Sequence, residues 1–344
     1  MTIAAKTDAL VVHARHDLRL EHVAVPELGA DQVAVHVAWG GICGSDLHYV
    51  HHGGVGASVL REPMVLGHEA SGIVSQVGSG VPAWKTGDAV AIHPASPCGV
   101  CPECAREQRN LCRNVSFLGS AARLPHTGGA FRRELIVHGT QLHALPPGLD
   151  LRRAALAEPL SVALHAIARG GDCLGKRVLV QGAGPIGALI VAGLKAAGAE
   201  RIVAVDLQPF ALELACKLGA DEGWNAREEN GDEEFDIVFE ATGVAMALPQ
   251  AVGRTRRGGI LVQVGMFPPG SVEAPLSQVI TRELDFRGSF RFDTEFAAAL
   301  TLLAARPQIA DILVTQSYRL EEFAGAFEIS LDRSRASKVL LEFG

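Results

Sequence analysis

Two textures of hydrophobic and polar positions divide the chain. Residues 9–14, 32–37, 72–77 and 135–138 (ALVVHA, QVAVHV, GIVSQV, LIVH) are short alternating or β-branched apolar runs, punctuated by turn residues. Runs of this kind predict half-buried strands, so the chain reads as β-rich to about residue 145. After Pro146-Pro147-Gly148 the apolar period lengthens, and 152–169 carries a helical pattern. Strand patterns then alternate with helical ones: strands at 177–181, 201–206, 235–240 and 260–265, helices at 186–197, 209–218 and 244–252. That alternation predicts a parallel, doubly wound α/β sheet. A last stretch, 286–344, holds two more helical patterns and ends in a strand-like run at 338–342.

Length and composition bound what this pattern builds. At 344 residues the chain is about twice the usual domain size, so two domains are expected. Hydrophobic residues at 48% against 20% charged exclude a disordered chain. A net charge of -7, with no basic stripe, argues against a nucleic-acid partner. No segment nears the roughly 18 apolar residues of a membrane span, since the apolar run 188–194 meets Lys195 at once. The opening residues Met1 to Lys6, followed by Asp8, lack the apolar core of a secretory leader. A cytoplasmic protein is the expectation.

Candidate chemistry falls in three places. The strand at 177–181 runs into Gly182-Ala-Gly184-Pro185-Ile186-Gly187 and then a helical pattern, the context in which such glycines cradle a pyrophosphate. The next strand ends at Asp206, nineteen residues past Gly187, close to the spacing of an acid that binds the adenosine ribose. A carboxylate there repels a 2′-phosphate, so NAD is expected over NADP. Cys98, Cys101, Cys104 and Cys112 have the spacing of a closed tetrahedral zinc site, which is structural. Cys43, His68, Glu69 and Glu158 are a thiolate, an imidazole and carboxylates, a fair zinc set with one open position. Cys173 and Cys216 are expected as buried helix cysteines, and His13, His16, His22 and His36 on edge-like strands without a role.

The stretches GICGSDLHYVHHGGVG at 41–56, REPMVLGHE at 61–69 and AEPLSVALH at 157–165 resemble the zinc-dependent medium-chain dehydrogenases. The resemblance covers essentially the whole chain and lies in the polyol branch, nearest L-idonate 5-dehydrogenases, with sorbitol dehydrogenases next. It implies a GroES-like catalytic domain from residues 1–150 and 287–344, and a Rossmann domain over 151–286. It implies a catalytic zinc on Cys43 and His68, with Glu69 and Glu158 ligating directly or through water, and a structural zinc on the four cysteines. Ser45 and His48 match the family's proton relay, and Asp46 a partner of the zinc-bound histidine. Thr242, Val264 and Arg291 join the glycine loop as expected cofactor contacts, with Arg291 also near substrate.

The implied activity is reversible hydride transfer between a secondary alcohol of a sugar acid or polyol and NAD, in a homodimer or homotetramer. Sorbitol or threonine dehydrogenase activity, and a non-catalytic zinc protein, are the alternatives. Arg291, Arg61, Arg123 and the pair His51-His52 are candidate readers of a substrate carboxylate, although Arg61 and Arg123 equally suit solvated loops. One position departs from the family pattern: Glu107 stands where a glycine is usual, and a positive φ there would strain the loop.

Overall fold

The computed structural model describes residues 5–344; residues 1–4, part of the stretch read for a leader, lie outside them. Strand Gln32–Gly41 is the spine of a seven-stranded sheet. One edge of it pairs with Glu69–Val77, and the other with Glu134–His138 and then with Lys338–Glu342, all antiparallel. Ala89–Ile92 and Leu142–Ala144 extend the first side, and Val314–Arg319 adds in parallel to Lys338–Glu342. Alternation places Val33, Val35 and Val37 in one apolar core with Val74, Val90 and Phe131. The final strand therefore closes a sheet begun about 300 residues earlier.

Six parallel strands form the second sheet: Arg177–Gln181, Arg201–Asp206, Glu222–Asn225, Phe235–Glu240, Thr255–Gln263 and Asp285–Gly288. They lie in the order third, second, first, fourth, fifth, sixth, the doubly wound Rossmann arrangement. Both faces are covered. Val178 and Val180 pack with Leu189 and Ile190 of helix Pro185–Ala196, whereas Leu179 packs with Leu248 and Val252 of helix Leu248–Arg254. A parallel sheet buried on both sides needs such near-continuous apolar runs. The first of these cores also takes in Ala91, Leu149 and Leu340 from the GroES-like part, so apolar packing is continuous between the two sheets.

Several expectations shift in detail. The helix expected over 152–169 is two helices, Leu151–Ala154 and Ala157–Gly170. Pro159 lacks an N–H and is tolerated only in a first turn, so a new helix starts just before it. Proline acts likewise at 249, where the expected 244–252 helix begins as a 3-10 turn, Ala245–Ala247, before Leu248–Arg254. The sixth parallel strand runs through Gly288, so the expected boundary between 286 and 287 falls inside it. Cys173 is buried but lies in a turn, and Cys216 is exposed because its helix turns Leu212, Ala215 and Leu218 inward. His36 sits in the interior strand Gln32–Gly41, paired on both sides, with its ring bonded to Glu134 at 2.9 Å.

The four clustered cysteines lie on an excursion between Ala89–Ile92 and Glu134–His138 that includes the short helix Pro102–Ala105. Glu107, just past this helix, has φ of 60°, so the side chain occupies a backbone conformation that favours glycine. Replacing it, Glu107→Gly, should stabilise the protein by about 0.5–1 kcal/mol, strain relief exceeding the added freedom of the unfolded chain. Chemical denaturation checks this, and an unchanged or lowered midpoint would contradict it.

Candidate active site

The nucleotide half of the site is built at the C-terminal ends of the parallel strands. Gly182 has φ of 95°, and a Cβ on Gly187 would stand 1.8 Å from the Gly182 carbonyl oxygen. A Cβ on Gly184 would meet nothing, so open space faces that glycine at the start of helix Pro185–Ala196. Strand, turn and helix are thus pressed together around a cradle whose unpaired N–H groups suit a phosphate. Asp206 ends the second strand, its Oδ2 accepting from the Ala183 N–H at 2.8 Å and its Oδ1 from Gln208 at 2.9 Å. Arg201 is engaged by Glu222 and Glu233.

The other half is a buried cluster of acids. Cys43 opens helix Gly44–His52, which brings Ser45, Asp46 and His48 with it, while His68 and Glu69 lie at the start of strand Glu69–Val77. Ligand atoms of Cys43, His68 and Glu69 all fall within 4.8 Å of one another. Gly41 makes room, because a Cβ there would be 2.0 Å from Glu69 Oε2. Asp46, fully buried, accepts from the backbone N–H groups of Cys43 and Gly67 and lies 3.9 Å from His68 Nδ1. Glu158, at the start of helix Ala157–Gly170, is buried near enough to feel the charges of His68 and Glu69 but lies outside the three-residue ligand group.

Burial and mutual repulsion govern the charges. Burial pushes the Glu158 carboxyl up to about 7, with Glu69 and Asp46 adding to the rise and His68 and Lys338 opposing it. Burial likewise raises Asp46. For His68 burial works the other way, but Cys43, Asp46 and Glu158 outweigh it and hold the imidazole well above its ordinary value. The cluster demands positive charge, the electrostatic condition for a bound cation.

Lys338 supplies part of it and was missed from the sequence, where it passed as the first residue of a strand. Its Nζ lies 2.7 and 2.8 Å from the two Glu69 oxygens and donates to the Ile42 carbonyl at 3.1 Å. A lone lysine opening an otherwise apolar run, KVLL, was the available signal.

The four cysteines converge as their spacing requires. Sulfur separations are 3.5, 3.6 and 3.8 Å for Cys101–Cys104, Cys98–Cys112 and Cys101–Cys112. Four sulfurs at about 2.3 Å from a tetrahedral zinc stand about 3.8 Å apart, so the set fits that ion. Backbone N–H groups of Cys98 and Asn114 point at Cys112 Sγ, and the Val100 N–H draws Cys98 down to about 6.

Among the remaining expected residues, Arg291 has φ of 55° and stacks its guanidinium over Phe117 at 4.4 Å and Phe290 at 4.9 Å. The Phe117 ring in turn lies 5.6 Å from that of His68. Arg123 is turned to the cysteine lobe, donating to the Arg113 carbonyl and Asn114. His48 and His52 face each other with Nδ1 atoms 3.3 Å apart.

A GroES-like fold joined to a Rossmann sheet, with a cysteine zinc lobe and a buried Cys–His–carboxylate group between them, defines a zinc-binding dehydrogenase. Family models agree: residues 29–147 match the alcohol dehydrogenase GroES-like domain, and 185–305 the zinc-binding dehydrogenase model. Sorbitol dehydrogenase of Bacillus subtilis is 36% identical over 99% of this chain and 98% of its own length. L-idonate 5-dehydrogenase (NAD(P)(+)) of Escherichia coli is 37% identical, over 98% of this chain and 99% of its own. The crystal structure of Escherichia coli L-idonate 5-dehydrogenase superposes with a TM-score of 0.91 at 36% identity, covering 98% of each chain. The chain belongs to the zinc-dependent medium-chain polyol dehydrogenase family. No described helix is long and apolar enough to cross a membrane.

The Glu158 charge gives a test. Folded Glu158 titrates near 7 and an unfolded glutamate near 4.5, so the folded state holds the proton more tightly and stability falls as pH rises between these values. In metal-stripped protein, Glu158→Gln should therefore stabilise at pH 8 by on the order of 3 kcal/mol, and by much less at pH 5. Denaturation at both pH values checks this; equal effects at the two would contradict it.

Proposed function

We propose that the protein oxidises a secondary alcohol of a sugar acid, L-idonate to 5-keto-D-gluconate, with NAD. The observation that carries the reading is Arg291: a guanidinium stacked between two rings, one of which, Phe117, packs on His68, held in a strained backbone conformation and without a salt-bridge partner among the described residues. Strain of this kind persists where surrounding structure enforces it, commonly at ligand sites. A planar guanidinium suits a carboxylate, which sorbitol lacks.

Cys43, His68 and Glu69 would hold the catalytic zinc, with Glu158 adjoining, and Cys98, Cys101, Cys104 and Cys112 the structural one. When bound there, a zinc ion would supply Lewis acidity toward the alcohol oxygen and a nicotinamide dinucleotide would supply the hydride acceptor. Asp46, 3.9 Å from His68 and bonded to the Cys43 and Gly67 backbone, acts on the imidazole through its charge, and Lys338 holds Glu69. Ser45 and His48 lead the alcohol proton outward. Partial burial and the neighbouring His52, Arg333 and His51 lower His48, so its imidazole is neutral near pH 7 and free to accept. Gly182, Gly184, Pro185, Ile186 and Gly187 would cradle the pyrophosphate, and Asp206 the adenosine ribose. Thr242 and Val264 would face the nicotinamide half. Exposed Phe286 on the free edge strand Asp285–Gly288 supports association into a homodimer or homotetramer.

Three measurements test the reading. With NAD, kcat/KM for L-idonate should exceed that for sorbitol, and Arg291→Ala should lower the former about 10- to 100-fold, the worth of a charge-assisted hydrogen bond, while sparing the latter. A wild-type preference for sorbitol would move the assignment to a neutral polyol. NAD should be preferred to NADP by roughly ten- to a thousandfold, because Asp206 faces the added phosphate at a cost of about 1.4–4 kcal/mol; equal efficiency would overturn this. Metal analysis should find two zinc ions per chain and one in a folded, NAD-binding, inactive His68→Ala variant. Full zinc content in that variant would remove His68 from the ligand set.

A further inference from the structure

Three polar residues interrupt the apolar parallel sheet at one level. Gln181, Glu240 and Gln263 end three adjacent strands and lie in register, Gln181 opposite Glu240 and Glu240 opposite Gln263. Glu240 is wholly buried. A buried carboxylate is costly unless its oxygens are satisfied, and here four neutral donors do so. Oε1 accepts from the backbone N–H of Thr242 at 2.8 Å and from the Thr242 hydroxyl. Oε2 accepts from the Gly243 N–H at 3.2 Å and from the Gln263 amide. Both oxygens thus accept from backbone N–H groups, the bonding pattern of an ionised carboxylate. The ring of dipoles satisfies the charge without cancelling it.

The place of this charge in the fold gives it a function. The strand order reverses between Arg177–Gln181 and Phe235–Glu240, and dinucleotides bind in the crevice at such a switch point. Glu240 belongs to the second half of the sheet, opposite the half that carries the glycine loop and Asp206. The turn it fixes is packed tightly on both sides. A Cβ on Gly182 would stand 2.9 Å from Thr242, and one on Gly265 would stand 2.1 Å from the Gly243 nitrogen. Gln263 extends the same bonding to the Gly265 carbonyl at 2.7 Å. The Gln181 and Gln263 side-chain oxygens are buried without a partner among the described residues, leaving acceptors that a polar ligand could satisfy.

We infer that Glu240 is a positioning residue of the cofactor site: it fixes the turns 241–243 and 264–265 beneath the nicotinamide half and, through its buried negative charge, favours the oxidised cofactor. The oxidised nicotinamide ring is cationic and the reduced ring neutral, so a fixed anion in a poorly screened interior discriminates between them. The inference rests on the nicotinamide dinucleotide reading of the site.

The test is equilibrium binding of NAD and NADH to the zinc-loaded protein, by calorimetry or fluorescence, without turnover. In Glu240→Gln the ratio Kd(NAD)/Kd(NADH) should rise about tenfold, the effect of one unit charge at short range in a medium of intermediate polarity. Gln263→Lys, which sets an ammonium against the carboxylate at a half-buried position, should shift the ratio in the same direction, and serves if the first variant does not fold. A ratio unchanged in the folded variants, or an equal loss for NAD, NADH and ADP-ribose, would make Glu240 a purely structural group and overturn the inference. Wild-type protein that binds neither NAD nor NADH would instead overturn the dinucleotide reading beneath it.

Discussion

Charge balance in a dry interior governs this molecule. Buried Asp46, Glu69 and Glu158 crowd beside half-buried Cys43, and the cations that answer them are Lys338, bound to both oxygens of Glu69, and His68, held well above its ordinary value. Breaking a buried ion pair from one side leaves an uncompensated charge, a change that typically destabilises by about 3–5 kcal/mol. Lys338 must therefore reach Glu69 for the antiparallel sheet to be stable. Its strand, Lys338–Glu342, does so by pairing with Gln32–Gly41, the strand whose last glycine makes room for the Glu69 carboxylate. The whole parallel sheet lies in the chain between these two strands.

Local signals in the sequence carried most of the architecture. The glycine loop, Asp206 and the four cysteines were legible because their chemistry depends on spacing within one short segment, which secondary structure preserves. The alternating and helical runs were legible because a buried face imposes its period. Boundaries moved where a proline restarted a helix, at 159 and 249, since that effect depends on whether the preceding turn can bend away. The grouping of Cys43, His68 and the carboxylates was legible only through likeness to a family, because Cys43, His68 and Glu158 are distant in sequence. Lys338 escaped even that reading: a lysine at a strand end is common, and only the three-dimensional pairing shows it buried against an acid.

The two halves of the site manage buried charge differently. Around Cys43 and His68 the acids repel one another, raise Glu158, and leave a deficit of positive charge. At Glu240 a single carboxylate is surrounded by N–H and O–H dipoles that hold it in place. The first arrangement is responsive, since ion and proton occupancy alter its energy. The second is rigid, and well suited to holding backbone against which a ring can be aligned.

The apolar core shared by Ala91, Leu149 and Leu340 with the parallel sheet has a thermodynamic consequence. Two domains joined only by a linker melt separately, but a common interior couples their unfolding, so the loss of one exposes hydrophobic surface on the other. A nucleotide that binds the folded Rossmann sheet then adds its free energy to the stability of the whole chain, the four-cysteine lobe included. Cofactor supply thereby becomes a determinant of how long the folded chain survives proteolysis.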